Sequence, residues 1–473
     1  AVQSDYIRRR FDCSDFYLVY YPYILRTFGK RGSGILSEKT ENELTDCLLG
    51  FRYWIDEPGN DAMWFWSENH ALMFHTCQLL AGELFPDEVF TNSGLTGRQM
   101  QAKAKNMLYD WFVTFRKEGF TEWNSSPYLP IDTLGFGSLY AFAQDPAMRE
   151  LGREGMDFAY YLLAVHSQQG IFASSSGRTY IKEQFGNWSN CPSGLSWIGY
   201  GYGVPGHAGK GITSYCLSDY EPPKEFAQWF SIPRGKEMIC QTTQGNDGYV
   251  DLYTYKTADY MMTSANDFHP GEPGHQENPF QLTFNAVAQL WVTHPGERVL
   301  FGAARPSYWA GNGTLPKVNQ YKAFAGLIYD IAPEHPVDFT HLYLPSMEFD
   351  RCEVEGKWAF VQLGSAYAAV YCSNGMRMQD FGSNKDRECI AEGRRCIWLV
   401  RAAQADEFAA FEDFKAAMRG AALDADAEGR RYRFVDPVYG ELRCQWGETL
   451  YVNDAPMQYS GFDNYGKLTM QEK

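Results

Sequence analysis

The chain has 473 residues, too many for one ordinary core, so two or three domains are expected. Apolar residues make up 45% and charged residues 21%, the balance of a globular protein, and no apolar run approaches the roughly 18 residues that cross a bilayer. A net charge of −16 argues against nucleic acid as a partner, because no basic excess exists to displace counterions.

The chain opens with "AVQSDYIRRRFDCSDFYLVYYPYIL", which is charged throughout and has no apolar h-region. A signal removed before Ala1 would leave no trace, so the compartment stays open. Apolar residues then recur at helical spacing in Tyr17–Phe28, Leu44–Ile55, Leu72–Phe85, Met100–Phe115, Leu134–Phe142 and Met156–Val165. Gly29, Pro58-Gly59, Pro86, Gly119, Pro146 and Gly170 fall at or near the ends of these runs. Antiparallel helices with short links give a bundle, a toroid or a solenoid. From about Glu221 the texture changes. "EPPKEFAQWFSIPRGKE" reads as a connector, and period-two alternation follows in "GYVDLYTYKT", "LTFNAVAQLWVTH", "KWAFVQLGSAYAAVYC", "RCIWLVRAA" and "YRFVDPVYGELRCQW". One helix near Asp406–Met418 interrupts the strands. The expected fold is α+β and multidomain. A helical domain spans 1–220, a connector 221–236, and an antiparallel β-sandwich 237–473.

Candidate chemistry begins at "WFWSENHALMFHTC" (64–77). Ser67 stands where a helix N-cap belongs, which puts Glu68, Asn69 and His70 in the first turn. Backbone N–H groups and the positive end of the helix dipole would welcome a carboxylate there. Asn69 adds an amide donor, and His70 can donate a hydrogen bond or exchange a proton. The plain alternative is a capped helix start. Aromatic residues reach 16% of the chain, and Trp64, Trp66 and Trp123 offer flat faces on which sugars stack. Tyr128, in "NSSPYLP", precedes another helical run 58 residues after His70. Arg178 in "SSSGRTY" is the candidate cation to lower its pKa. Tyr200, Tyr202 and His207 lie in "WIGYGYGVPGHAGKG", which lacks the strand and the Lys-Ser/Thr ending of a phosphate loop. His269, His275 and His294 lie in or just after the strand-rich segment's Pro/Gly loop. The eleven cysteines contain no CxxC pair and no zinc-module spacing, so free thiols are expected.

The Asn69-His70 pair at a helix start, followed some fifty residues later by Ser126-Pro127-Tyr128, resembles the heparinase II/III-like and related alginate lyases. That resemblance implies an (α/α) toroid joined to an antiparallel β-sandwich, although the helices before Glu221 fall short of a full ring. It implies that Asn69 and His70 neutralise a uronate carboxylate, that Tyr128 transfers the proton, and that His275 is a base or substrate contact. The family's His-x-His-x-Asp pattern is absent, so neither a metal near His275 nor a cofactor is expected. Glu68, Trp64, Trp66, Trp123, Arg178, Tyr200, Tyr202 and His207 are the expected substrate contacts. The expected partner is an acidic polysaccharide cleaved by β-elimination. Two rivals stand beside it. A glycoside hydrolase would draw its two carboxylates from Glu68, Glu122, Asp132 and Asp267. A noncatalytic glycan-binding protein would need none.

Overall fold

A computed structural model describes residues 2–185, 189–205, 211–245 and 248–473. Helices come first and antiparallel sheets after. The chain divides into two compact units. The first takes residues up to Lys117, Tyr128–Tyr161 and a stretch ending at Pro223; the second takes Glu118–Pro127, a stretch beginning at Leu162, and everything from Lys224 on.

The first eight helices in chain order are α1 (Val2–Arg8), α2 (Asp15–Leu18), α3 (Tyr20–Phe28), α4 (Glu38–Gly50), α5 (Glu68–Leu84), α6 (Gly97–Glu118), α7 (Leu129–Phe142) and α8 (Pro146–Val165). The first unit is built around α5 and α7. Every residue of α5 from Leu72 to Leu84 is buried, as is every residue of α7 from Leu129 to Leu139. A helix that is apolar all round belongs inside rather than on a surface.

The two central helices run parallel. Where the first turn of α5 passes the middle of α7, Gly135 brings the α7 backbone so close to Leu72 that a Cβ would lie 2.8 Å from the leucine Cδ2. Near their ends, the Glu83 carboxylate of α5 accepts from the backbone N–H groups of Gln144 (2.8 Å) and Asp145 (3.2 Å), just beyond α7. The intervening α6 returns antiparallel to α5. The Gln101 amide donates to the Gly82 carbonyl (2.8 Å), and about three turns later the Trp111 indole donates to the Glu68 carbonyl (3.1 Å).

The helical spacing of Leu44–Ile55 overshoots the element it predicts. The helix stops at Gly50, and Phe51 is already extended. Buried Arg52 explains the stop. Its guanidinium donates to the carbonyls of Glu57 (2.9 Å) and Ile55 (2.8 Å) and pairs with Asp61 (3.1 Å), which ties the following chain into a loop. The Tyr17–Phe28 run is likewise split into α2 and α3.

Among the described residues the second unit holds three antiparallel sheets. The nine-stranded sheet has the order Arg377–Met378, Glu388–Glu392, Phe339–Tyr343, Gln289–Thr293, Phe280–Thr283, Met261–Asn266, Val250–Lys256, Lys236–Gln244, Lys467–Glu472. The six-stranded sheet runs Lys317–Tyr321, Phe324–Asp330, Arg395–Gln404, Ala366–Cys372, Trp358–Leu363, Arg351–Glu355. Tyr255, Leu282 and Val292 of the first share one buried cluster with Leu327, Val370 and Leu399 of the second. A smaller five-stranded sheet spans Leu423–Pro456. The late helix is Phe411–Gly420. All eleven cysteines are unbridged.

The division between the units does not fall at one point near residue 220, because residues 162–179 are bound into the sheets. Ser176 and Asn278 exchange backbone hydrogen bonds of 2.9 and 2.7 Å. The fully buried Lys256 ammonium donates to the carbonyls of Ala164 and Trp229 at 2.8 Å each. His166 and Thr254 meet at 2.9 Å.

Gly135→Ala should force α5 and α7 apart against the fully buried side chain of Leu72. A loss of about 1–3 kcal/mol is expected in urea denaturation, as for other overpacked cores.

Candidate functional site

In the first unit, Ser67 caps α5. Its backbone is extended and its hydroxyl accepts from the His70 N–H (3.4 Å), so Glu68, Asn69 and His70 do form the first turn. Tyr128 stands at the N-cap of α7, where its carbonyl accepts from the N–H groups of Ile131 (2.8 Å) and Asp132 (2.9 Å). Because α5 and α7 are parallel, these two starts lie at the same end of the unit.

The side chains there are less open than a substrate-contacting role requires. Asn69 is 1% exposed and His70 6%. The His70 ring stacks on Phe16 (4.6 Å between centroids, 9° between planes), and its Nδ1 lies 2.9 Å from Asp15 Oδ2. Asp15 is fully buried. Burial pulls the His70 pKa down, but the hydrogen bonds and charges of Asp15 and Cys13 outweigh it and raise it to about 10. His70 is therefore an imidazolium at neutral pH. His75, one turn along the same helix, is the opposite case. Burial, helped by the charge of Lys103, lowers its pKa to about 3, and it packs neutral against Trp54 (4.3 Å).

Before the cap, burial alternates. Met63 and Phe65 point inward, while Trp64 (56%) and Trp66 (67%) are exposed. The Trp64 N–H donates to Asp12 Oδ1 (3.2 Å). Asp12, Cys13 and His70 offer ligand atoms that all lie within 4.8 Å of one another. Glu68 is half-buried beside this cluster in sequence, at the first position of α5.

In the second unit, Asn124, Ser125 and Ser126 act on the backbone opposite them. They donate to the carbonyls of Ser175 (3.3 Å), Arg178 (3.0 Å) and Phe172 (3.4 Å). Trp123 is corrected from sugar platform to core. It is 1% exposed, packs edge-on to Phe268 (5.5 Å), and covers Gly177 so closely that a Cβ there would sit 2.6 Å from its Nε1. The segment it supports carries Arg178, whose guanidinium pairs with Glu122 (3.3 Å) and donates to the Tyr180 hydroxyl (3.4 Å). Arg305 reaches the same hydroxyl from another loop (3.5 Å), and both guanidinium groups lie over the Tyr180 ring (5.8 and 5.5 Å).

His275 belongs to this cluster. Its exposed ring has a lowered pKa, first through partial desolvation and then through the positive charges of Arg178 and Arg305, against the opposing pull of Glu277. The loop is fixed by Thr179 N–H to Gln276 carbonyl (3.2 Å) and by the Gln276 amide to the Thr179 carbonyl (2.7 Å). His275 is thus a neutral imidazole in the field of two cations. Tyr180 and Arg305 were not among the sequence-derived candidates. The signal for Tyr180 was present: in extended chain, residues 178 and 180 share a face. Arg305 had none, since only the tertiary fold brings it there.

The remaining candidates are dispersed. Tyr200 and Tyr202 pack on Phe230 (5.0 and 5.5 Å), and His207 lies outside the described residues. His269 is exposed and paired with Glu272 (3.4 Å). His294 is fully buried, its Nε2 bonded to the Val337 carbonyl (3.1 Å). Of the carboxylates a hydrolase would need, Glu122 is paired with Arg178, and Asp267 is bonded by Lys317 and Asn319. Asp132 is 2% exposed. No family model matches the chain, and no curated protein matches it.

Asp15→Asn should strip His70 of the charge that holds its proton. The His70 pKa, followed by NMR titration, is expected to fall from about 10 to below neutrality. A raised histidine pKa stabilises the fold fully below about 6.5, and that contribution is lost as pH rises through about 10. The stability gap between wild type and Asp15→Asn should therefore narrow across that interval in denaturation series at stepped pH.

Proposed function

We propose that the protein is a lyase that cleaves a uronate-containing glycan by β-elimination. The observation that carries the reading is the second-unit cluster, in which the Tyr180 hydroxyl accepts from both Arg178 and Arg305 beside a neutral His275. Each part matches a need of the reaction. The C5 proton of a uronate is too weakly acidic to leave unless the charge that develops on its carboxylate is stabilised. Arg178 and Arg305 supply fixed donors for that charge. His275, neutral, accepts the C5 proton as the bond from C4 to oxygen breaks, and the Tyr180 hydroxyl delivers a proton to the departing oxygen. Locally the two arginines also offset the field of a chain with net charge −16.

The helical first unit belongs to the same proposal as a toroid-like domain that binds the glycan. Exposed Trp64 and Trp66 are its stacking faces. The hydrolase rival is weakened because the carboxylates of Glu122 and Asp267 are committed to basic partners.

Incubation with a panel of uronate polymers should release unsaturated, ultraviolet-absorbing products. Tyr180→Phe should lower turnover by roughly 100-fold or more, the usual weight of a proton-transfer group. Running Tyr128→Phe alongside separates the two centres. Loss of turnover in Tyr128→Phe with retention in Tyr180→Phe would move the chemistry to the first unit. Glycan binding with no product across the panel would make the protein a binding module.

The rate should also report the base. With the His275 pKa lowered, its neutral form prevails at neutral pH, so kcat/KM should be level there and decline only in acid. A rate that instead climbs steadily above neutrality would assign the base to a tyrosine.

A further inference from the structure

The turn that precedes α2 carries three chemically different donors that meet His70. Cys13 has a thiol, Asp12 an exposed carboxylate, and His70 an imidazole, and one donor atom from each lies within 4.8 Å of the other two. A sulfur, a nitrogen and an oxygen in one place suit a borderline-soft divalent ion, whereas calcium and magnesium prefer oxygen alone. We propose that Asp12, Cys13 and His70 form a three-ligand site for a zinc-like divalent transition-metal ion, with a fourth position left for water or an oxygen-donor ligand.

The surrounding bonds favour this use. A metal-bound histidine ordinarily gives its other ring nitrogen to a carboxylate, which fixes the ring and its tautomer. Here His70 Nδ1 is held by buried Asp15 at 2.9 Å, so Nε2 is the nitrogen available to an ion, and the ring is clamped further by its stack on Phe16. Ligating carboxylates are oriented in the same way. Asp12 Oδ1 accepts from the N–H groups of Cys13 (3.1 Å) and Trp64 (3.2 Å), which leaves Oδ2 for coordination.

The turn itself is braced. The Tyr6 hydroxyl donates to the Asp12 carbonyl (2.6 Å), and the Ser14 hydroxyl to the Phe11 carbonyl (2.5 Å). Cys13 takes a left-handed backbone conformation (φ 65°), which turns the chain between Asp12 and α2. Bonds of about 2.0–2.3 Å put tetrahedral ligand atoms roughly 3.3–3.8 Å apart. The trio therefore closes on an ion with a shift of roughly one ångström, within reach of the exposed Asp12 side chain. A metal takes Cys13 as thiolate and His70 through an unprotonated Nε2, so binding releases protons. The site does not depend on the lyase reading, and its test does not use turnover.

The full-length protein, treated with chelator and dialysed, is titrated with Co2+ and separately with Zn2+. One equivalent of Co2+ should produce the near-ultraviolet thiolate-to-cobalt charge-transfer band, and Zn2+ should displace it. Cys13→Ser should abolish the band, while Cys216→Ser, which alters the exposed thiol elsewhere, should keep it. Asp15→Asn leaves all three ligands in place and should weaken Zn2+ binding by about 10–100-fold. Asp12→Asn, at an exposed position that does not threaten folding, should weaken it as well. A charge-transfer band that survives Cys13→Ser, or Zn2+ affinity unchanged in both Asp12→Asn and Asp15→Asn, would overturn the proposal. So would the absence of saturable binding by either ion.

Discussion

A positive charge inside an apolar helical core has to be answered by a negative one, and in the first unit Asp15 answers His70. Neither group tolerates burial alone, since an isolated charge in such a place costs several kcal/mol. Their bond therefore ties the short α2 to the start of α5. The turn before α2 is held in the same stroke, and with it Asp12 and Cys13. The contrast with His75 is instructive. Two histidines on one buried helix differ in charge because one faces a carboxylate and the other a tryptophan ring.

The second unit solves a different problem, that of holding two arginines close together. Arg178 and Arg305 repel one another, so each needs a rigid mount. Arg178 sits on a segment bonded on one side by Asn124, Ser125 and Ser126 and on the other by the Gln276–Asn278 loop. Buried Trp123 fills the space over Gly177 and leaves the chain no slack. Glu122 neutralises one guanidinium in part. The two cations then act on Tyr180 and His275 without collapsing onto each other.

Much of this organisation was legible in the sequence, and the failures have identifiable causes. Ser67 marked the start of α5, because a hydroxyl before an apolar periodic run is what a helix N-terminus requires. The order of helices followed by antiparallel strands was readable from period alone. Periodicity misled at Leu44–Ile55, where an aromatic-rich loop imitates a helical stripe until the bonds of Arg52 are known. Asn69 and His70 were correctly placed in the first turn, but their burial was not visible. That burial depends on Phe16 and Asp15, more than fifty residues away in sequence. Arg178 was singled out as a cation, and within its own unit it donates to the Tyr180 hydroxyl, two residues on. Arg305 and the Asp12–Cys13–His70 cluster are products of tertiary contact, and no local pattern announces them.

The alternation around Phe65 works as a ruler. An extended chain rises about 3.3 Å per residue, so Trp64 and Trp66 project from points roughly 6.6 Å apart while Phe65 anchors the strip from beneath. A ligand with a single flat ring engages one indole at a time. A chain of rings laid along the strip engages both, and the second contact forms at the high effective concentration that the first creates. Two outward faces so spaced span more than the length of one ring.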